Sequence, residues 1–254
     1  VSAHHKAFYR PITWFDRVRT PLMWAVGLAW MLPVAAAMMV LSLVWHPDRT
    51  QWFDRLYCRV QVWLTGSRWR AVVHRDIRPD RQYLFVQNHV NVLDHVTMYN
   101  ATSHFKQGVE LESHFRIPFY GWMMRRRGTI GIRRGEGNRD ELIASFRSEI
   151  ARGHSILAFP EGTRTRDGGV GRMRRGTFYL ARELGIPIVP TTVVGMYDVL
   201  RTGSWIFRPG DITVFCDAPI ETADLPREEI PDLAERVKAI QTAHLEEHAR
   251  ARRS

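Results

Sequence analysis

Tyr83-Leu84-Phe85-Val86-Gln87-Asn88-His89-Val90-Asn91-Val92-Leu93-Asp94 begins as an apolar, β-rich run and breaks into polar residues around a histidine and an aspartate. The first four residues read as a strand. Similar short runs recur at 71–74, 129–132, 155–159, 188–194 and 211–215. Helical patterns lie between and after them, at 140–152 with Asn138 as a cap, at 177–184 stopped by Gly185, and over about 231–250. Strands alternating with helices argue an α/β domain rather than a bundle. In such sheets, functional groups gather where strands end, and His89 follows the strand directly. Five residues separate His89 from Asp94, about 140° on a regular helix, so the two cannot share a helical face. They can meet across a turn, with Asp94 in the first turn of a following helix. The carboxylate would then accept the Nδ1 proton and leave Nε2 free as a base. No serine or cysteine stands beside the pair as a nucleophile, so a substrate hydroxyl would have to serve. A hydrogen-bonded loop histidine has the same spacing.

A second strand end carries Phe159-Pro160-Glu161-Gly162-Thr163-Arg164. Gly162 implies a tight turn with permissive backbone angles. The guanidinium of Arg164 matches two oxygens of a phosphate monoester, and Glu161 could orient that arginine or hold a hydroxyl. A surface ion pair is the plainer alternative for the two. Two further runs complete the set: Gly128-Thr129-Ile130-Gly131-Ile132-Arg133-Arg134, and Ile186-Pro187-Ile188-Val189-Pro190.

Toward the N-terminus, residues 20–45 contain no charged side chain, long enough for a bilayer core about 30 Å thick. The run exceeds a signal-peptide core and is expected to be retained. Basic residues flank it on both sides, which suits a segment that enters and returns, and Pro33 should kink it. Residues 51–64 place Trp52, Phe53, Leu56, Tyr57, Val60, Trp63 and Leu64 at helical spacing, as in an interfacial amphipathic helix, with Asp54, Arg55 and Arg59 on its remaining surface. Residues 1–66 are therefore expected to form a membrane anchor and 67–254 the catalytic domain. The chain of 254 residues carries a net charge of +10, which calls for an anionic partner. Arginines cluster at 125–127 with 133–134, and again at 164–175. Nucleic acid is set aside because a charge-free run beside an aromatic helix has no role there, whereas anionic headgroups and cofactor phosphates fit both features. Cys58 and Cys216 form no framework and suit a reducing, cytoplasmic setting. His244-Leu245-Glu246-Glu247-His248 has metal-ligand spacing but no acidic third ligand after it, so a solvated helix is expected and no metal is assigned.

In order and spacing these blocks resemble those of the glycerolipid acyltransferases: N-H-x4-D, G-x-I-x-I-x-R, F-P-E-G-T-R and a V-P-containing strand. Ile117-Pro118-Phe119-Tyr120-Gly121-Trp122 is similar to the family's connector, and the anchor helices are similar to those of bacterial lysophosphatidic acid acyltransferases. The resemblance covers about 83–195. It implies a mixed, twisted sheet flanked by helices. His89 would be the general base and Asp94 its partner, with Asn88 shaping the loop. Arg134 and Arg164 would bind the acceptor phosphate, beside an acceptor site of Glu161, Gly162 and Thr163. Gly128 and Pro190 would support the site, Pro190 near the acyl chain. It further implies acyl-CoA or acyl carrier protein as co-substrate, membrane lipids as partners, no metal or other cofactor, and a catalytic domain on the cytoplasmic face of the inner membrane.

Two positions depart from the family pattern. Asn91 stands where a serine is frequent, and no lysine occurs at 111–113, Lys106 being the nearest. Lysophosphatidic acid is the expected acceptor. An aminolipid or glycolipid acceptor, a coenzyme-independent transacylase and a non-catalytic lipid binder remain as alternatives.

Overall fold

The computed structural model describes residues 11–118, 120–133 and 139–252. In chain order its elements are α1 (Trp14–Val44), α2 (Gln51–Leu64), β1 (Arg68–Val73), β2 (Leu84–Gln87), α3 (Asp94–Ala101), β3 (Lys106–Leu111), α4 (Tyr120–Arg126), β4 (Ile130–Ile132), α5 (Arg139–Ala151), β5 (Ser155–Ala158), α6 (Gly176–Leu184), β6 (Ile188–Val194), α7 (Met196–Val199), β7 (Asp211–Cys216) and α8 (Ile230–Ala251). The strands form one mixed sheet in the order β1-β7-β6-β2-β5-β3-β4. All neighbours are parallel except β6 and β7, so β7 and β1 run against the rest. The strand that opens the sequence argument is the middle one. Every residue of β2, β5 and β6 is buried, as parallel strands covered on both faces require. One core, with Phe85, Leu157, Val189 and Val214, lies beneath α2 and α3. The other, with Leu84, Ile156 and Ile188, lies beneath α5, α6 and α8. Each large apolar side chain buried this way stabilises the fold by roughly 1.5–3 kcal/mol.

Where elements were expected they are found, with ends moved by a few residues. β3 was not expected, because Lys106-Gln107-Gly108-Val109-Glu110-Leu111 has too few apolar residues to read as a strand. Its first two residues are nevertheless sealed in the interior. The Lys106 ammonium donates to the His104 carbonyl at 3.3 Å and lies over the Phe85 ring. Burial pulls its pKa down to about 7 from a normal lysine's 10.5. Between those values the unfolded chain binds more protons than the folded one, so this residue makes stability rise with pH, by up to about 1.4 kcal/mol per unit. Lys106→Met should flatten the increase in melting temperature between pH 7 and 9. Equal slopes in the two proteins would refute a buried, depressed lysine.

α1 starts before the charge-free run, at a capping box in which the Thr13 hydroxyl accepts the Asp16 N–H and the Asp16 carboxylate accepts the Thr13 N–H. It continues as one helix through Pro21 and Pro33, about 46 Å long. The chain reverses only afterwards, in the 45–50 turn. α1 is the one helix among the described residues long and apolar enough to cross a membrane, and very little of it is buried. It docks near its N-terminus through Trp24 Nε1 to the Trp205 carbonyl and the Phe207 N–H to the Thr20 hydroxyl, and near its C-terminus through Arg126 to the Ser42 carbonyl. α2 is less peripheral than its aromatic pattern suggested. Cys58 and Val62 enter the core, and Asp54 is buried in an ion pair with Arg127 instead of facing headgroups. Trp52, Leu56 and Trp63 form its exposed apolar stripe.

Candidate active site

β2 ends at Gln87, and the next two residues are held from different sides. The Asn88 side chain continues the sheet: its Nδ2 donates to the Val193 carbonyl at 3.2 Å, and its Oδ1 accepts the Val193 N–H at 2.8 Å. His89 therefore leaves the sheet in a fixed direction. Asp94, the first residue of α3, turns back to meet it, with His89 Nδ1 2.7 Å from Asp94 Oδ2. The same carboxylate accepts the backbone N–H groups of Val90 at 2.7 Å and Asn91 at 3.2 Å. Burial raises the proton affinity of Asp94, while His89 and these amides oppose that rise. A carboxylate that accepts from Nδ1 fixes the imidazole with its lone pair on Nε2. Among the described residues nothing bonds Nε2, and the half-buried ring lies against Phe159, the centroids 4.5 Å apart. The pair can remove a proton from a bound hydroxyl.

The turn after β5 closes over this loop. Glu161 is buried, and its two oxygens accept the N–H groups of His89 at 2.7 Å and Gly171 at 2.6 Å. The Thr165 N–H donates to the His89 carbonyl at 2.8 Å. The backbone of His89 is thus gripped at both its donor and its acceptor. A Cβ at Gly171 would come within 2.8 Å of Glu161 Oε2, so a larger residue there would push on the carboxylate. Gly162 has φ +65, and the Arg174 guanidinium lies 2.9 Å from where a Cβ would be.

A family model described as acyltransferase matches residues 70–194. The chain is 28% identical over 191 residues to the 1-acyl-sn-glycerol-3-phosphate acyltransferase of Haemophilus influenzae, covering 72% of this chain and 75% of that one. It is 32% identical over 143 residues to a chloroplastic 1-acyl-sn-glycerol-3-phosphate acyltransferase of Brassica napus, covering 56% of this chain. The chain spans only 41% of that plant relative's length. Residues 70–194, just under half of the chain, are thus similar to the acyltransferase family. The fold agrees: a solved 1-acyl-sn-glycerophosphate acyltransferase from Thermotoga maritima matches it with a TM-score of 0.75 at 18% identity, over 91% of this chain and 96% of that one.

Within this fold the motif residues do not all sit together. His89, Asn88, Asp94, Glu161, Gly162, Thr163 and Arg164 cluster at the ends of β2 and β5. Arg134 lies outside the described residues, as do Asn138 and Phe119. Gly128 is a correction. It precedes β4, an edge strand three places from β2 and parallel to it, and so lies at the opposite end of the strands from His89; a Cβ there would meet the Gln107 amide at 2.9 Å, and its N–H donates to the Arg125 carbonyl. It supports packing there, far from the chemistry. Pro190 is buried in β6 opposite Val86, two residues on from Ile188 and so on the α8 side. Glu161 has a different task from the one expected, since its oxygens brace two loops and do not orient Arg164. Asn91 is also structural: its amide donates to the Met196 and Leu200 carbonyls and its oxygen accepts the Leu93 N–H, so the departure from serine fastens the loop to α7. Thr165 and Gly171 escaped the sequence argument because backbone atoms do their work.

The two arginine clusters have different fates. Arg125, Arg126, Arg127 and Arg133 are committed to the Phe115 carbonyl, the Ser42 carbonyl, Asp54 and Glu112. Arg164, Arg166, Arg172, Arg174 and Arg175 are exposed on the turn over His89, and among the described residues their guanidinium groups have no hydrogen-bond or ion-pair partner. Among the described residues, the second set is the one left open to an anion.

Proposed function

We propose that this protein is a membrane-bound O-acyltransferase that moves a fatty acyl chain from acyl-CoA or acyl carrier protein to the hydroxyl of lysophosphatidic acid, giving phosphatidic acid. The observation that carries it is the His89 Nδ1 to Asp94 Oδ2 contact of 2.7 Å with Nε2 open beside uncommitted arginines. His89 removes the acceptor hydroxyl's proton as its oxygen attacks the thioester carbonyl. The tetrahedral intermediate collapses, the C–S bond breaks, and the thiolate takes a proton from the imidazolium or from water. A cysteine acyl-enzyme finds no support. Both thiols are buried, with burial pushing Cys58 up to about 12 and Cys216 up to about 11, so neither is a ready nucleophile. Arg164 and its neighbours supply positive charge for the acceptor phosphate, and the exposed apolar surfaces of α1 and α2 supply the anchor on the cytoplasmic face of the inner membrane. No cofactor enters the scheme.

Thiol release from acyl-CoA, measured on purified protein with lysophosphatidic acid, glycerol 3-phosphate, lyso-aminolipids and monoacylglycerol, tests this assignment. Lysophosphatidic acid should be the best acceptor. Arg164→Ala should raise its KM by about 10- to 100-fold, the loss of a charge-assisted bond to phosphate, and leave slow acylation of monoacylglycerol unchanged. Silence across the panel with acyl carrier protein also supplied, together with acyl exchange between phospholipids, would replace this assignment by a transacylase.

A further inference from the structure

His46 and Asp48 lie in the turn between α1 and α2, and His154 lies immediately before β5. They are 106 residues apart in sequence at the closest approach, yet one donor atom from each falls within 4.8 Å of the others. We propose that His46, Asp48 and His154 form a structural site for a divalent transition metal, with Zn2+ as the best-matched ion, which clips the anchor hairpin to the catalytic sheet.

Three features of the geometry support it. First, the donor set of two imidazoles and one carboxylate is one that binds zinc, a fourth position being left to water. Second, the distances are close to those required. Bonds of about 2.0–2.1 Å in tetrahedral geometry put neighbouring donors about 3.3 Å apart. His154 Nε2 is 3.3 Å from Asp48 Oδ2, and His46 Nδ1 is 2.9 Å from Asp48 Oδ1. The two rings stack 5.6 Å apart, within 15° of parallel, which brings both to the same carboxylate. Third, His154 is oriented by a carboxylate in the manner of metal-bound histidines. Its Nδ1 is 2.8 Å from Glu149 Oε2, which also accepts from the Gln107 amide at 3.2 Å. With Nδ1–H given to Glu149, the Nε2 lone pair faces Asp48, and a cation between them relieves that opposition. The site is polar on one side and closed on the other: His154 is buried, whereas His46 and Asp48 are about one-third exposed, open to an incoming ion.

The location gives the ion a purpose independent of the catalytic assignment. α1 is tied to the domain near its ends, and the 45–50 turn is where the hairpin meets the sheet. The competing account is a metal-free ion triad with a protonated His154 between Asp48 and Glu149. The untagged full-length chain, solubilised in detergent and stripped with a chelator, should bind one Zn2+ by calorimetry and metal analysis, and its melting temperature should rise on addition of the ion. Co2+ in its place should give visible ligand-field bands. His154→Ala risks misfolding, so His46→Ala and Asp48→Asn, both at partly exposed positions, decide. Each should weaken binding at least tenfold and remove the thermal response, while His244→Ala retains both. No bound ion and no thermal response in the native chain, or equal binding by His46→Ala, would overturn the site and leave the ion triad.

Discussion

Replacing His89 by alanine is expected to lower kcat for acyl transfer to about 10⁻³ to 10⁻⁴ of the native value with little change in KM for either substrate. The side chain is half-buried, and its ring bonds Asp94 and packs on Phe159, so its loss removes a base and leaves the fold intact. General-base catalysis contributes about 10² to 10⁴-fold, and the upper part of that range applies where the hydroxyl nucleophile has no other base. Asp94→Asn should approach the same loss by another route. An amide has one acceptor oxygen, whereas Asp94 accepts from His89 Nδ1 and from the Val90 and Asn91 N–H groups. Its NH2 group must face one of these donors, and His89 loses the partner that fixes its tautomer, a change worth on the order of 10⁴-fold where a carboxylate orients a catalytic histidine. The double variant should be scarcely slower than the worse single one, since the two act as a unit. Steady-state kinetics with circular dichroism as the folding control checks both. Activity of His89→Ala within tenfold of native would end the general-base assignment.

The pair was legible because its geometry is local. A strand, a six-residue turn and a helix start all lie within twelve residues. Legibility fails where a buried residue is polar or where partners are distant in sequence. Lys106 and Gln107 open β3 from inside the core, where one lies over Phe85 and the other donates to Glu149, so no apolar run marks the strand. Asp54 was placed on the wet side of α2 because acidic residues are usually there, yet Arg127, 73 residues on, draws it inside. The histidines show the same contrast. His244 and His248 share a spacing that suggests a metal, but His244 Nε2 bonds Asp217 at 3.0 Å and His248 leans toward Asp198. His46 and His154 share no spacing at all and meet through the fold. The arginine clusters looked alike in sequence and were separated only by their partners. The long apolar helix α1, by contrast, was readable from composition, because a charge-free run of that length stands out in the sequence.

Glu161 is where the structure departs most from its motif, and the departure can be measured. An acceptor-binding residue, when removed, raises KM for the lipid; a brace behind the base lowers kcat. The geometry favours the second. Glu161 Oε1 and Oε2 each take a backbone N–H, at 2.7 and 2.6 Å, and one of those amides belongs to His89 itself. Glu161→Ala leaves both donors without their partner in a partly buried setting, costing at most about 1–3 kcal/mol each, and frees the 161–171 turn to shift. A displacement of about 1 Å at a catalytic group is enough for roughly a 10²-fold loss, so kcat should fall by about 10²- to 10³-fold while KM for the acceptor stays within a few-fold. Glu161→Gln should lie between, because its single acceptor oxygen can keep His89 or Gly171 but not both. Gly171→Ala provides an independent probe, since its methyl would press on Oε2 while removing no side-chain group, and it should reproduce the kcat loss of Glu161→Gln. A rise in acceptor KM with kcat preserved, in either Glu161 variant, would return this residue to the acceptor site.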